Sequence, residues 1–282
     1  MGKIVWLASY PKSGNTWLRA FLHVLLTDAQ EGAELDRITE LALVDSAVGW
    51  YQPQIGRPPG DWTIEEVGKA RADAHRRIAE SRAGLHFIKT HNARVSDRFG
   101  PLIPRAHTAG AVYLLRNPLD VAISYSHHLG RTIDQTIELM NHPGAGTPNT
   151  RTNVFQLLRS WSQHVESWTV GGAQPPVHAV RYEDMLEAPE PSFGGILRYL
   201  GLHPPPERVA RARELCRFEA LRKREDQHGF KERSAFAPRF FREGRAGQWR
   251  GRLNESQIGR IVDAHRAVME RFGYLAPGGE PA

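Results

Sequence analysis

A chain of 282 residues, 40% hydrophobic and 24% charged, carries enough apolar material for one large folded domain and too little for a membrane protein. Its net charge is +6, yet the basic residues are spread along the chain and are mostly arginine, with lysine only at positions 3, 12, 69, 89, 223 and 231. That spread argues against a nucleic-acid surface and for a small anion gripped by a few placed cations. A single cysteine, Cys216, excludes an internal disulfide and suits the reducing cytoplasm, the expected location. The apolar run Ile4–Ala8 is too short for a signal-peptide core or a membrane span, and Trp6 stands where a myristoylation pattern needs Ser or Thr.

In chain order, Ile4–Ser9 reads as a strand stopped by Pro11 and Gly14, and Thr16–Leu26 as a helix with Trp17, Leu18, Phe21, Leu22 and Leu25 at helical spacing. Gln52–Asp61, rich in Pro and Gly, predicts a loop. Thr63 and Glu66 form a capping box opening a helix to about Ser81. Leu85–Lys89 and Gly110–Leu115 are the second and third strands, and Asn117-Pro118 starts a helix with Asp120 in its first turn. The pattern weakens from Arg131 to Thr152, where 142–146 predicts a mobile loop, and Asn153 is expected to cap a helix to about Trp168. Val177–Arg181 is a fourth strand. Helical stretches follow around Phe193–Leu200 and Glu207–Cys216, then a charged segment, Arg222–Arg233, and a closing helix, Asn254–Phe272. Alternating strands and helices imply an α/β fold: one domain, 1–275, with a central parallel sheet flanked by helices and its ligands at the carboxyl ends of the strands. Residues 276–282 are expected to be a disordered tail.

The most specific stretch is YPKSGNTW, Tyr10–Trp17, between the first strand and its helix. A loop there offers backbone N–H groups and the positive helix end to an anion; Gly14 permits close approach, and Ser13, Asn15 and Thr16 add short donors. It is not a Walker A loop, because GxxxxGK[ST] puts Lys after the second Gly whereas Lys12 precedes Gly14.

This loop closely resembles the 5′-phosphosulfate loop of the sulfotransferases that use 3′-phosphoadenosine 5′-phosphosulfate (PAPS), and further segments match that family in order from Ile4 to about Leu253. Arg116 after the third strand, with Ser124 eight residues on, matches the pair that holds the donor's 3′-phosphate. Arg181-Tyr182-Glu183-Asp184 looks like the segment whose Tyr lies by the adenine, and Trp17 matches the Trp that stacks on it. Arg242-Glu243-Gly244 resembles the closing loop over the 3′-phosphate, with two departures: Glu243 replaces a Lys and Gln248 an Asp. Phe87–His91 resembles the cytosolic branch, implying Lys89 and His91 beside the reaction and His91 as base. The N-terminal loop is also similar to the bacterial branch that sulfates glycopeptide antibiotics. The resemblance therefore implies a P-loop-nucleotide-hydrolase-like fold and an enzyme moving a sulfuryl group from PAPS to a hydroxyl of a small molecule. It implies Lys12 at the leaving oxygen, PAP as product, and no metal, nucleic acid or membrane.

Two rival readings share the strand, loop and helix: a P-loop kinase or nucleotidase, and a catalytically silent nucleotide-binding module, against which Lys12 and His91 both count. The acceptor pocket is expected from Asp45–Trp62, Arg131–Thr152 and Asp226–Phe241, with Trp50, Tyr51 and Phe236 as candidate contacts. The cytosolic branch's dimerisation motif is not visible between Trp249 and Ile258, and oligomeric state stays open.

Overall fold

The computed structural model describes residues 2–32, 34–170 and 175–282. Five parallel strands form the central sheet: Lys3–Ser9 (β1), Ala42–Val44 (β2), Leu85–Thr90 (β3), Thr108–Leu115 (β4) and Val177–Arg181 (β5), in the order β2-β3-β1-β4-β5. Every residue of β1 after Lys3 is buried, as befits a central strand covered on both faces. Alternate side chains divide the core: Ile4, Trp6 and Ala8 join Ile88, Tyr113, Trp161 and Ile261 on one face, whereas Leu7 joins Phe21, Val112, Leu114 and Phe193 on the other.

The register brings all five carboxyl ends to one edge. Ala8 pairs with Thr90, Ser9 with Leu114, Val44 with Lys89, and Leu115 with Arg181. The residues that follow the strands, Tyr10, Asp45, His91, Arg116 and Tyr182, are therefore neighbours in space although they span most of the chain.

Several helices begin where their caps predict. Thr63 accepts from the Glu66 N–H, and Glu66 returns the bond, opening Ile64–Glu80; Asn254 and Gln257 do the same for Glu255–Arg271. Other segments differ from expectation. Helix Val48–Ile55 intrudes on the predicted loop despite Pro53, because Tyr51 is buried with Trp62, Val67 and Ala74 in a satellite core that outweighs the local Pro signal. The weakly patterned stretch holds a helix, Ile133–Asn141, opened by a Thr132/Gln135 capping box. The predicted mobile loop is tied down: the Ala145 carbonyl accepts from Leu158 and Arg159 N–H, and Gly146–Thr147 pairs with Gln156–Leu157. Asn153 caps no helix. Its side chain accepts from the Ser46 hydroxyl, and the helix starts at Trp161 with Ser160 as cap. The charged segment is helical over Phe218–His228. The closing residues, expected as a disordered tail, turn back so that Ala276 N–H donates to the Glu280 carbonyl and Ala282 N–H to that of Tyr274.

Ile88, fully buried in β3, tests this sheet. Ile88→Ala is expected to cost about 2–5 kcal/mol, lost transfer energy plus a cavity, read as a lower urea midpoint at unchanged slope. A midpoint shift near zero would mean that the β1–β3 layer is not the core.

Candidate functional site

The turn from β1 into the helix Asn15–Thr27 is tight. Lys12 and Gly14 both take left-handed backbone (φ 66° and 96°), which Gly accepts freely and Lys does not. A Cβ on Gly14 would also meet the Tyr182 ring at 2.8 Å, so this glycine is required for conformation and for space. The helix lacks an acidic residue in its first turn and a side-chain cap, which leaves its positive end uncompensated. Within the turn, the Ser13 hydroxyl is buried with no partner among the described residues.

A cavity of 560 Å³ opens beside this turn, lined by Lys12, Gly14, Asn15, Thr16 and Trp17 together with Lys89, His91, Arg116, Ser124, Tyr182, Arg242, Glu243 and Gly244. Every predicted site residue except Ser13 lines it, and Ser13 lies buried in the turn beneath.

Cations crowd the cavity. Lys12 sits 3.9 Å from the centre of the Phe240 ring, and burial, then the Arg116 charge, lower its pKa to about 7. Arg116 stacks on the Tyr182 ring at 4.3 Å and donates to the carbonyls of Lys12 (3.2 Å) and Arg245 (3.0 Å), while its Nε is buried without a partner among the described residues. An orphaned Nε and an orphaned hydroxyl at one turn are what an oxyanion would satisfy.

His91 is held from two sides. Its Nδ1–H donates to the Ser9 carbonyl at 2.8 Å, which leaves Nε2 as the acceptor nitrogen. Its carbonyl accepts from His164 Nε2 at 3.0 Å, and His164 Nδ1 accepts from the Tyr113 hydroxyl at 2.8 Å. Burial first, then the Lys89 charge, keeps the His91 pKa well below its ordinary value, so the ring is neutral at physiological pH.

The C-terminal loop reaches the cavity through Asp120, whose buried carboxylate accepts from the N–H groups of Gly247 (2.8 Å) and Trp249 (3.0 Å) and lies 3.8 Å from Arg116. The two departures noted in this loop act on Arg242 itself: Glu243 and Gln248 both accept from its guanidinium. Glu243 also pairs with Arg245 and Arg252, so its carboxylate faces arginines. Gly244 is left-handed (φ 64°), and a Cβ there would strike Phe218 at 2.0 Å.

Trp17 meets Tyr182 and Phe193 edge-on at 5.8 and 5.5 Å. The three expected acceptor loops each contribute wall residues, among them Ser46, Thr147 and Phe240. Their aromatic candidates do not: Tyr51 is buried in the satellite core, Trp50 donates to the Val44 carbonyl, and Phe236 is 73% exposed off the cavity. Sequence reasoning missed Arg19, Asp120's role, His128, His164 and Glu232. His128, four residues after Ser124 on the helix Pro118–Leu129, was readable from helical spacing; the others depend on long-range contacts. Among the described residues no three His, Cys, Asp or Glu side chains gather as metal ligands, and no helix is long and apolar enough to cross a membrane.

Sheet, turn and cations define a single α/β domain with its positive charge gathered at the carboxyl edge of its strands. The sulfotransferase domain family matches residues 3–273, and the chain belongs to that family. It is 27% identical to flavonol 3-sulfotransferase of Flaveria bidentis (95% of this chain, 81% of the relative) and 24% identical to sulfotransferase 1A1 of Bos taurus (93% and 81%). Its fold is similar to that of retinol dehydratase in complex with androsterone and inactive cofactor PAP (TM-score 0.64, 20% identity, 98% of this chain and 83% of that one). It is also similar to that of a mouse sulfotransferase complexed with PAP (0.62, 18%, 98% and 87%).

Asp120→Ala removes the acceptor of two buried N–H groups. The expected cost is about 2 kcal/mol or more, with faster hydrogen exchange confined to the loop around Gly247 and Trp249. Unaltered exchange there would show that the loop is held by other contacts.

Proposed function

We propose that this sulfotransferase moves the sulfuryl group of PAPS to a hydroxyl of a small-molecule acceptor, by direct in-line transfer and with release of PAP. The observation that carries this reading is the His91 ring, locked by Ser9 with its unprotonated Nε2 left to accept, in the same cavity as the Lys12 turn. The unpartnered Ser13 hydroxyl and Arg116 Nε fit the phosphates of such a donor, with Arg116, Ser124 and Arg242 toward its 3′-phosphate and Trp17 and Tyr182 beside its base. A mouse sulfotransferase complexed with PAP and a retinol dehydratase in complex with androsterone and PAP, both of similar fold, support the donor, and the androsterone of the second supports a small acceptor.

In this reading the acceptor oxygen attacks sulfur as the bond from sulfur to the phosphate oxygen breaks. His91 Nε2 takes the hydroxyl proton, Lys12 and the turn amides meet the charge growing on the leaving oxygen, and Lys89 supplies a further cation. The cytoplasm suits a chain whose one thiol is buried.

The test is mass spectrometry of the protein incubated with PAPS and either 4-nitrophenol or an aliphatic alcohol, looking for PAP and a sulfated acceptor. His91→Ala is expected to keep PAP binding and lose on the order of 10²–10⁴-fold in transfer to the alcohol. A phenol of low pKa should lose less, because it can arrive ionised; equal losses across phenols would make His91 structural.

Lys12 gives a second expectation. With its pKa at about 7 in the free protein, most Lys12 is neutral at pH 8, and a phosphate placed beside it raises that pKa. PAP binding at pH 8 should therefore take up protons, seen as different calorimetric heats in Tris and in HEPES, and Lys12→Ala should abolish the difference. Equal heats in the unmodified protein would remove Lys12 from the anion site.

A further inference from the structure

We propose that Glu232 is a positioning residue of the transfer site: it holds the Lys89 ammonium charged at the cavity and fastens the chain between residues 229 and 241 across the cavity wall. Glu232 belongs to no motif found in the sequence. Its carboxylate accepts from Arg19 Nη1 at 2.9 Å and Nη2 at 2.7 Å, from Lys89 Nζ at 3.3 Å and from the Thr16 hydroxyl at 3.4 Å. One carboxylate thus joins the helix after β1, the end of β3 and a segment more than 140 residues downstream of Lys89. The Arg19 side chain is fully buried and that of Lys89 only 15% exposed, so neither charge can rely on water.

Among the described residues, the groups around Lys89 leave it no other counter-charge of equal strength. Arg19 is a cation, and Lys12 is an amine that carries no negative charge in either protonation state. His91 and His128 are kept uncharged by burial, His128 with its pKa lowered to about 4. Asp45 is occupied by Thr90, Asn92 and Gln156, and burial raises its carboxyl to about 6. Burial pulls the Lys89 pKa down, and Glu232 opposes that pull. Arg19 completes the device: its Nε donates to Asn15 Oδ1 and its Nη2 to the Thr16 hydroxyl, so the same carboxylate that charges Lys89 also steadies the first turn of the anion-receiving helix. Only the catalytic meaning of Lys89 rests on the transfer reaction proposed above; the charge relation does not.

The experiment reads the Lys89 proton directly. The full chain and its Glu232→Gln and Glu232→Asp variants are acetylated with trace acetic anhydride across a pH series, and the Lys89 peptide is quantified by mass spectrometry. Losing an opposite charge within 4 Å should move the labelling midpoint down by on the order of one pH unit or more in Glu232→Gln. Glu232→Asp, which withdraws the carboxylate by one methylene, should move it less. A merely structural Glu232 would lower the melting temperature and leave the midpoint in place, and an unmoved midpoint in Glu232→Gln overturns the proposal. If circular dichroism shows Glu232→Gln unfolded, the decision passes to Glu232→Asp, where an unmoved midpoint overturns it equally. Labelling needs no turnover, so a chain that transfers nothing from PAPS would refute the reaction and leave the Glu232 result readable.

Discussion

Lys12, Lys89, Arg19 and Arg116 are crowded against one edge of the sheet and largely cut off from water, where like charges repel and lose hydration. The surrounding structure is organised around that cost. Glu232 meets Arg19 and Lys89, Asp120 lies near Arg116, and Phe240 offers Lys12 its ring face in place of a carboxylate. Lys12 has no ion-pair partner among the described residues, and burial first, then the Arg116 charge, lowers its pKa to about 7. A site short of negative charge by construction favours an anionic ligand.

Neutral His91 among these cations has the same origin. A ring beside Lys89 and out of water does not accept a proton readily in the resting protein, and its Nδ1–H is committed to the Ser9 carbonyl. The chain from Tyr113 through His164 to the His91 carbonyl fixes the ring's backbone as well. Orientation is thus decided by groups outside the cavity wall, whereas the protonation state follows from burial and from Lys89, which lines it.

Four of the five sheet strands, the turn after β1 and most of the residues that line the cavity were legible because each has a local cause; β2, Ala42–Val44, was missed, because three residues are too few to show a period. β1 is apolar on both faces, Gly14 and Pro11 interrupt it, Thr63 and Asn254 cap their helices, and Arg116 and Ser124 stand a little over two helical turns apart. Where the reading failed, a distant contact had overruled the local signal. Helix Val48–Ile55 survives its proline by burying Tyr51 against Trp62, Asn153 is drawn to Ser46, and the tail is turned back onto Tyr274.

By itself the sequence determined the class of fold, the turn after β1 and the residues that crowd its mouth, since these follow from hydrophobic period, glycine placement and short spacings along one segment. Only the tertiary structure decided how the charges are balanced. Glu232 meets Lys89 across 143 positions and Asp120 meets Trp249 across 129. No periodicity or spacing encodes such pairs, because they arise when the register of a parallel sheet brings remote strand ends to one edge and burial forces each confined charge to find a partner.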